Sequence, residues 1–226
     1  MSLKRKAITG FSWSVFEGVF STGSIFIVGI ILARLLTPKD FGVVGIITAI
    51  IAVSNSVVEA GFGSALIRKL DANNDDFNTV FYTNLTTAFI LYLLLFTFAP
   101  QIAIFFNIPI LSDLIKVAGL VLLINAVVII QRTLLNKSLN FKKLSIIAVI
   151  SSIISGIIAV VMAFMDFGVW SLVALSILRP FINSILLWFS SNWFPQFIFS
   201  IKSFKELFNY GSKLLLTNLI NTAYKN

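Results

Sequence analysis

The chain has 226 residues and a net charge of +8; 58% of its residues are hydrophobic, 12% are charged and the mean hydropathy is +0.99. A soluble domain carries about 25% charged residues, so this chain cannot cover a water-facing surface, and lipid is the solvent its composition implies. Cysteine and histidine are both absent, which excludes disulfides, thiolate nucleophiles, zinc or haem held by those residues, and a Ser-His-Asp triad.

Seven apolar stretches follow in chain order, each bounded by charge, proline or glycine. A spanning helix needs about 20 apolar residues, and six of the stretches qualify: 11–33, 41–67, 78–99, 114–131, 144–165 and 169–190. The third is expected to end at Pro100 and the fourth at Arg132. A seventh begins near Phe204 and is still apolar at Asn226. The runs are continuous rather than alternating, which favours helices over barrel strands. The expected fold class is therefore an all-α polytopic membrane protein: a six-helix lobe over residues 1–203, then the start of a further helix over 204–226. A cleaved signal peptide does not fit the N-terminus, because the apolar stretch is long, contains Glu17 and has no A-x-A site.

The basic residues set an orientation. With the N-terminus inside, the inner segments hold Lys4, Arg5, Lys6, Arg68, Lys69, Arg132, Lys137, Lys142, Lys143, Lys202 and Lys205, whereas the outer ones hold only Arg34, Lys39 and Lys116. That asymmetry places the N-terminus in the cytoplasm. It also accounts for the net charge, so nucleic acid is not an expected partner; membrane lipids are. Two inner linkers, 132–143 and 192–206, mix aromatic or aliphatic residues with cations, as the headgroup layer favours. They read either as short anchoring elements or as sites for anionic lipid.

Charges within the hydrocarbon are costly and mark function. Glu17, Glu59 and Arg179 fall near mid-depth, where transporters place their sites. Arg179 precedes Pro180, which removes a backbone hydrogen bond and disfavours helical geometry at the arginine. A guanidinium there can present a bidentate fork to phosphate; alternatively, it pairs with Glu17 or Glu59 and ties helices together. Asn55, Asn84, Asn125 and Asn183 either line a cavity or make interhelical hydrogen bonds, and the small pairs Gly18/Thr22 and Ser151/Ser155 suit close helix packing. Gly61-Phe62-Gly63 lacks the Lys-Ser/Thr of a phosphate loop and reads as a break before the following loop. No catalytic residue, metal site or cofactor is expected.

The run Leu32-Ala33-Arg34-Leu35-Leu36-Thr37-Pro38-Lys39-Asp40-Phe41-Gly42 resembles the turn "LARLLxPxDFG" of Wzx-type polysaccharide flippases, members of the multidrug/oligosaccharidyl-lipid/polysaccharide exporter superfamily. Gly61–Ile67, Phe105-Phe106-Asn107, Leu139–Lys143, Phe167–Leu172 and Phe204–Ser212 agree in the same order. The resemblance implies two six-helix lobes around a cationic cavity that receives the pyrophosphate-sugar headgroup of a polyprenyl-linked oligosaccharide, in the bacterial inner membrane. It implies polysaccharide polymerase and glycosyltransferases as further partners. Family members run to about twice this length, so the chain is expected to be the N-terminal half. The candidate headgroup residues are Arg179, Glu17, Glu59, Asn55 and Asn125. Rival functions are a drug or metabolite exporter of the same superfamily and, with less support, a membrane-embedded glycan polymerase.

Overall fold

The computed structural model describes the backbone of residues 3–59 and 61–225, and the side chains of residues 13, 18–20, 22–59 and 61–213. The described backbone forms ten helices and no strand: α1 (Leu3–Leu35), α2 (Pro38–Glu59), α3 (Phe62–Arg68), α4 (Asn74–Phe105), α5 (Leu111–Ala118), α6 (Leu120–Ala126), α7 (Ile129–Lys137), α8 (Phe141–Phe164), α9 (Val169–Ser190) and α10 (Ile201–Lys225). Among them α1, α2, α4, α8 and α9 are long and apolar enough to cross a membrane, and residues 111–126 with 129–137 reach that length and hydropathy only together, across a 41° bend. The chain is an all-α multi-pass membrane protein.

Local chemistry explains the boundaries. The turn between α1 and α2 is a capping box at Thr37. The Thr37 amide and hydroxyl donate to Asp40 Oδ2 at 2.9 and 2.7 Å, and the Asp40 amide donates back to Thr37 Oγ1 at 3.4 Å. Pro38 opens the helix where a missing N–H costs nothing. A second box starts α4: the Asp76 amide donates to Asn73 Oδ1 at 3.0 Å and the Asn73 amide to Asp76 Oδ2 at 3.1 Å. Three helices end on non-glycine residues with left-handed backbone, Asn107, Leu139 and Asp166. Each is followed by an amide that reaches back over the last turn: Ile108 to Ala103, Asn140 to Leu135 and Phe167 to Met162, at 2.9 to 3.1 Å. This is the Schellman arrangement.

Three of the expected spans have different bounds. The helix expected over 41–67 stops at Glu59; Gly61 has φ 72°, and α3 begins after it. Glycine takes that conformation without a Cβ clash. The stretch 114–131 is divided, with separations at Gly119 and at Val127–Val128. Conversely, α4 does not end at Pro100 but runs on to Phe105. Proline removes only one ladder bond, and the ladder resumes beyond it: the Phe106 amide donates to Ile102 at 3.1 Å.

The chain divides into two compact units, residues 1–45 with 134–191, and residues 46–133 with 192–226. In the first unit α1, α8 and α9 pack around Leu32, Ala159, Ala163 and Leu172, with Val28, Leu36, Val44 and Leu175 against them. Ser151 and Ser155 are buried and donate to the carbonyls four residues back, each at 2.7 Å. That satisfies their hydroxyls inside the helix, as a water-free setting requires. Gly18 and Thr22, by contrast, are exposed, and a Cβ on Gly18 would meet no described atom within 4 Å. That pair marks no close packing among the described residues.

In the second unit Val58 of α2, Ala88 of α4, and Leu122 and Ala126 of α6 form the apolar core. Residues 192–200, between α9 and α10, form no helix and lie against the start of α4. The Gln196 amide donates to Asn78 Oδ1 at 2.8 Å and the Ser200 amide to Thr79 Oγ1 at 2.9 Å. Trp193 packs edge-on against Phe77 and Phe81. Lys69 Nζ sits 3.1 Å from both Asp76 and Glu206, and Arg68 donates to the Tyr210 hydroxyl at 2.8 Å. Burial opposes the charge on Lys69, but hydrogen bonds and attraction from the two carboxylates outweigh it and raise the pKa above the usual lysine value.

Candidate functional site

Arg179 and Pro180 sit inside the continuous helix α9. Proline has no N–H to give to the carbonyl four residues back, which here is that of Ser176. Ser176 and Arg179 are three residues apart and share a helix face. On α8, Ser152 and Ser155 have the same spacing. The first unit brings these two faces together with one from α1.

The result is a cavity of about 390 Å³, lined by Ser24, Ile25 and Val28 of α1, Val44 of α2, Ser152 and Ser155 of α8, and Leu172, Leu175, Ser176, Arg179 and Pro180 of α9. Arg179 is about ten residues from either end of α9, roughly 15 Å at 1.5 Å per residue, so the cavity lies at mid-span. Its walls are aliphatic, with one guanidinium and four hydroxyls. Two of the hydroxyls are already engaged: Ser155 Oγ donates to Ser151 at 2.7 Å, and Ser176 Oγ to Val173 at 2.8 Å. Ser152 Oγ is buried and has no hydrogen-bond partner among the described residues. A buried hydroxyl without a partner is costly, and here it belongs to the lining of the cavity that Arg179 shares. Among the described residues the lining contains no carboxylate. A permanent cation with five fixed donors, supported by hydroxyls in a low-dielectric wall, suits an oxyanion. A volume of this order holds a small polar group such as a phosphate or diphosphate.

The other candidates lie elsewhere. Asn125 Nδ2 donates to Asn55 Oδ1 at 3.1 Å within the second unit, an interhelical bond between α6 and α2. Glu59 is the exposed last residue of α2 and feels the charge of Arg132. Asn84 is fully buried, and neither of its amide atoms has a partner among the described residues. Asn183 is half-buried on α9. The side chain of Glu17 lies outside the described residues. Sequence reasoning missed Ser24, Ser152 and Ser176 as cavity residues, and took Ser155 only as a packing residue. The three-residue spacings in α8 and α9 were the available signal.

The family model described as "Polysaccharide biosynthesis protein" matches residues 31–226. The chain is 28% identical to the succinoglycan biosynthesis transport protein ExoT of Rhizobium meliloti (strain 1021), over 92% of this chain and 42% of the relative. It is 28% identical to the teichuronic acid biosynthesis protein TuaB of Bacillus subtilis (strain 168), over 97% and 46%. Against the lipopolysaccharide biosynthesis protein WzxC of Escherichia coli (strain K12) the identity is 25%, over 98% and 45%. No solved structure matches significantly. The chain spans about half the length of these curated relatives. On a match that covers most of its length, the chain belongs to the polysaccharide biosynthesis protein family.

Proposed function

We propose that the protein moves a polyprenyl-pyrophosphate-linked oligosaccharide from the inner to the outer leaflet of the bacterial cytoplasmic membrane, by alternating access. On this reading the N-terminus is cytoplasmic, the cargo feeds cell-surface polysaccharide assembly, and residues 1–203 are the first lobe of the transporter, with residues 204–226 beginning a second. The protein works as a transporter and not as an enzyme.

The observation that carries the reading is Arg179 on a mid-span cavity with Ser24, Ser152, Ser155 and Ser176. Carrying a charged headgroup through hydrocarbon requires substitutes for its water. The guanidinium and hydroxyls supply them, and the lipid tail needs no site because it stays in the bilayer. Charge-assisted hydrogen bonds of this type contribute about 1.5–3 kcal/mol each, enough to hold a diphosphate without trapping it. The names of ExoT, TuaB and WzxC, which refer to succinoglycan transport and to teichuronic acid and lipopolysaccharide biosynthesis, support the cargo class.

The test is Arg179→Ala in the intact protein, expressed in cells that depend on it for surface glycan. Glycan export falls at least tenfold while the protein remains in the membrane at parental level. Unchanged export at unchanged abundance overturns the reading.

A further inference from the structure

The linker ahead of α10 makes two demands that only one environment meets. Residues 192–200 have no repeating hydrogen-bond ladder; their amides are tied at Gln196 to Asn78, at Ile198 to the Gln196 carbonyl, and at Ser200 to Thr79. Exposed backbone of this kind cannot lie in hydrocarbon. Yet the same segment presents Phe197 at 99% exposure, flanked by the exposed rings of Phe194 and Phe199. Exposed phenyls favour acyl chains over water. The backbone needs water and the rings need lipid, so the segment belongs at the boundary between headgroups and acyl chains. It is also held in place: Trp193 is packed against Phe77 and Phe81, and Phe197 stacks on Tyr82 with centroids 5.8 Å apart.

Charge then selects the lipid. Ser203, Leu207 and Gly211 form the buried face of α10, and Lys202 and Lys205 project from its exposed face. They lie three residues apart, so their ammonium groups share one side of the helix. Glu206, which follows Lys205, is engaged by Lys69 at 3.1 Å. The outward balance of this turn is therefore positive. Aromatic rings with adjacent lysines are complementary to a headgroup layer bearing net negative charge.

We propose that residues 192–205 form a docking surface for anionic phospholipid, in which the phenyl rings enter the acyl boundary while Lys202 and Lys205 bind headgroup phosphate. The surface is separate from the Arg179 cavity and does not depend on what the protein transports.

These 226 residues contain no cysteine, so Phe197→Cys, with any cysteine elsewhere in the intact protein replaced by serine, gives a single labelling site on a fully exposed side chain. The intact protein, labelled there with a bilayer-sensitive fluorophore, is reconstituted with phosphatidylcholine containing equal mole fractions of either brominated phosphatidylglycerol or brominated phosphatidylcholine. The expected result is quenching by both lipids, with an apparent preference for phosphatidylglycerol of roughly 25-fold, since each of the two lysines near the surface is worth about a factor of five. Lys202→Gln with Lys205→Gln removes the preference and leaves phosphatidylcholine quenching unchanged. Equal quenching by the two lipids in the unsubstituted protein overturns the proposal, as does a preference that survives loss of both lysines. Absence of quenching, with the label cross-linking to another copy, also overturns it and assigns the surface to self-association.

Discussion

A Cβ on Gly156 would stand 2.7 Å from Val28 Cγ2. Helices α1 and α8 therefore meet at a point where only glycine fits, one turn from the cavity residue Ser152 and next to Ser155. Val28 is β-branched and has little rotamer freedom, so it cannot swing aside cheaply. Gly156→Leu is expected to cost about 1–3 kcal/mol by overpacking. Thermal melting of the purified protein in detergent checks it; a melting temperature equal to the parent's would mean that the helices separate without penalty.

The Lys69 bridge is expected to be worth more than an ordinary surface ion pair, because the Asp76 carboxylate is only 1% exposed. Lys69→Met leaves that carboxylate short of a partner and should destabilise the protein by about 1–3 kcal/mol. Glu206→Gln, at the 53% exposed end of the bridge, should cost under about 1 kcal/mol. The pH dependence has a definite sign. Lys69 has a raised pKa in the folded state, so its contribution is fully present below its ordinary value of 10.5 and is lost as the pH rises through the higher folded value. Melting curves of parent and Lys69→Met between pH 7 and 10 should stay parallel; their convergence in that range would contradict the assignment.

Leu139 has φ 55° at the end of α7 and is 38% exposed. A left-handed backbone costs a non-glycine residue about 1–2 kcal/mol, and glycine gives part of that back as unfolded-state entropy. Leu139→Gly is thus expected to stabilise the protein by about 0.5–1 kcal/mol. A lower melting temperature would show that the leucine side chain contributes more than its backbone strain costs.

The hydrogen bond between Asn125 and Asn55 joins α6 to α2 at 3.1 Å. Interhelical bonds between polar side chains in membrane proteins average about 0.6 kcal/mol and reach about 1.7. A double-mutant cycle with Asn55→Ala and Asn125→Ala should return a coupling energy in that range. Zero coupling would remove the pair from the list of forces joining these helices.

Much of this fold is legible in the sequence, for physical reasons that differ by element. Long apolar runs have only the helix open to them in lipid, so the cores of α1, α8 and α9 fall where composition puts them. The turn Thr37-Pro38-Lys39-Asp40 carries its own capping chemistry in four residues. The interruptions are harder to read. Gly61 announces its break by residue type, but the separation at Val127–Val128 involves two β-branched residues with no local signal. Pro100 misleads in the other direction, since one lost hydrogen bond does not stop a helix whose flanking turns remain intact. The cavity is half legible. Arg179 stands out because a charge in hydrocarbon is expensive, whereas its serines do not, since a hydroxyl that bonds its own helix looks the same in sequence as one that faces a cavity.

Arg179 is the group proposed to take the anionic headgroup. The most direct measurement is translocation of a fluorescent polyprenyl-pyrophosphate-oligosaccharide by the intact protein in proteoliposomes, comparing the parent with Arg179→Ala and Arg179→Lys. Alanine is expected to reduce the rate at least tenfold and lysine to restore only part of it, because a point charge lacks the bidentate fork. A rate for Arg179→Ala equal to the parent's, in vesicles holding equal amounts of folded protein, would contradict that role.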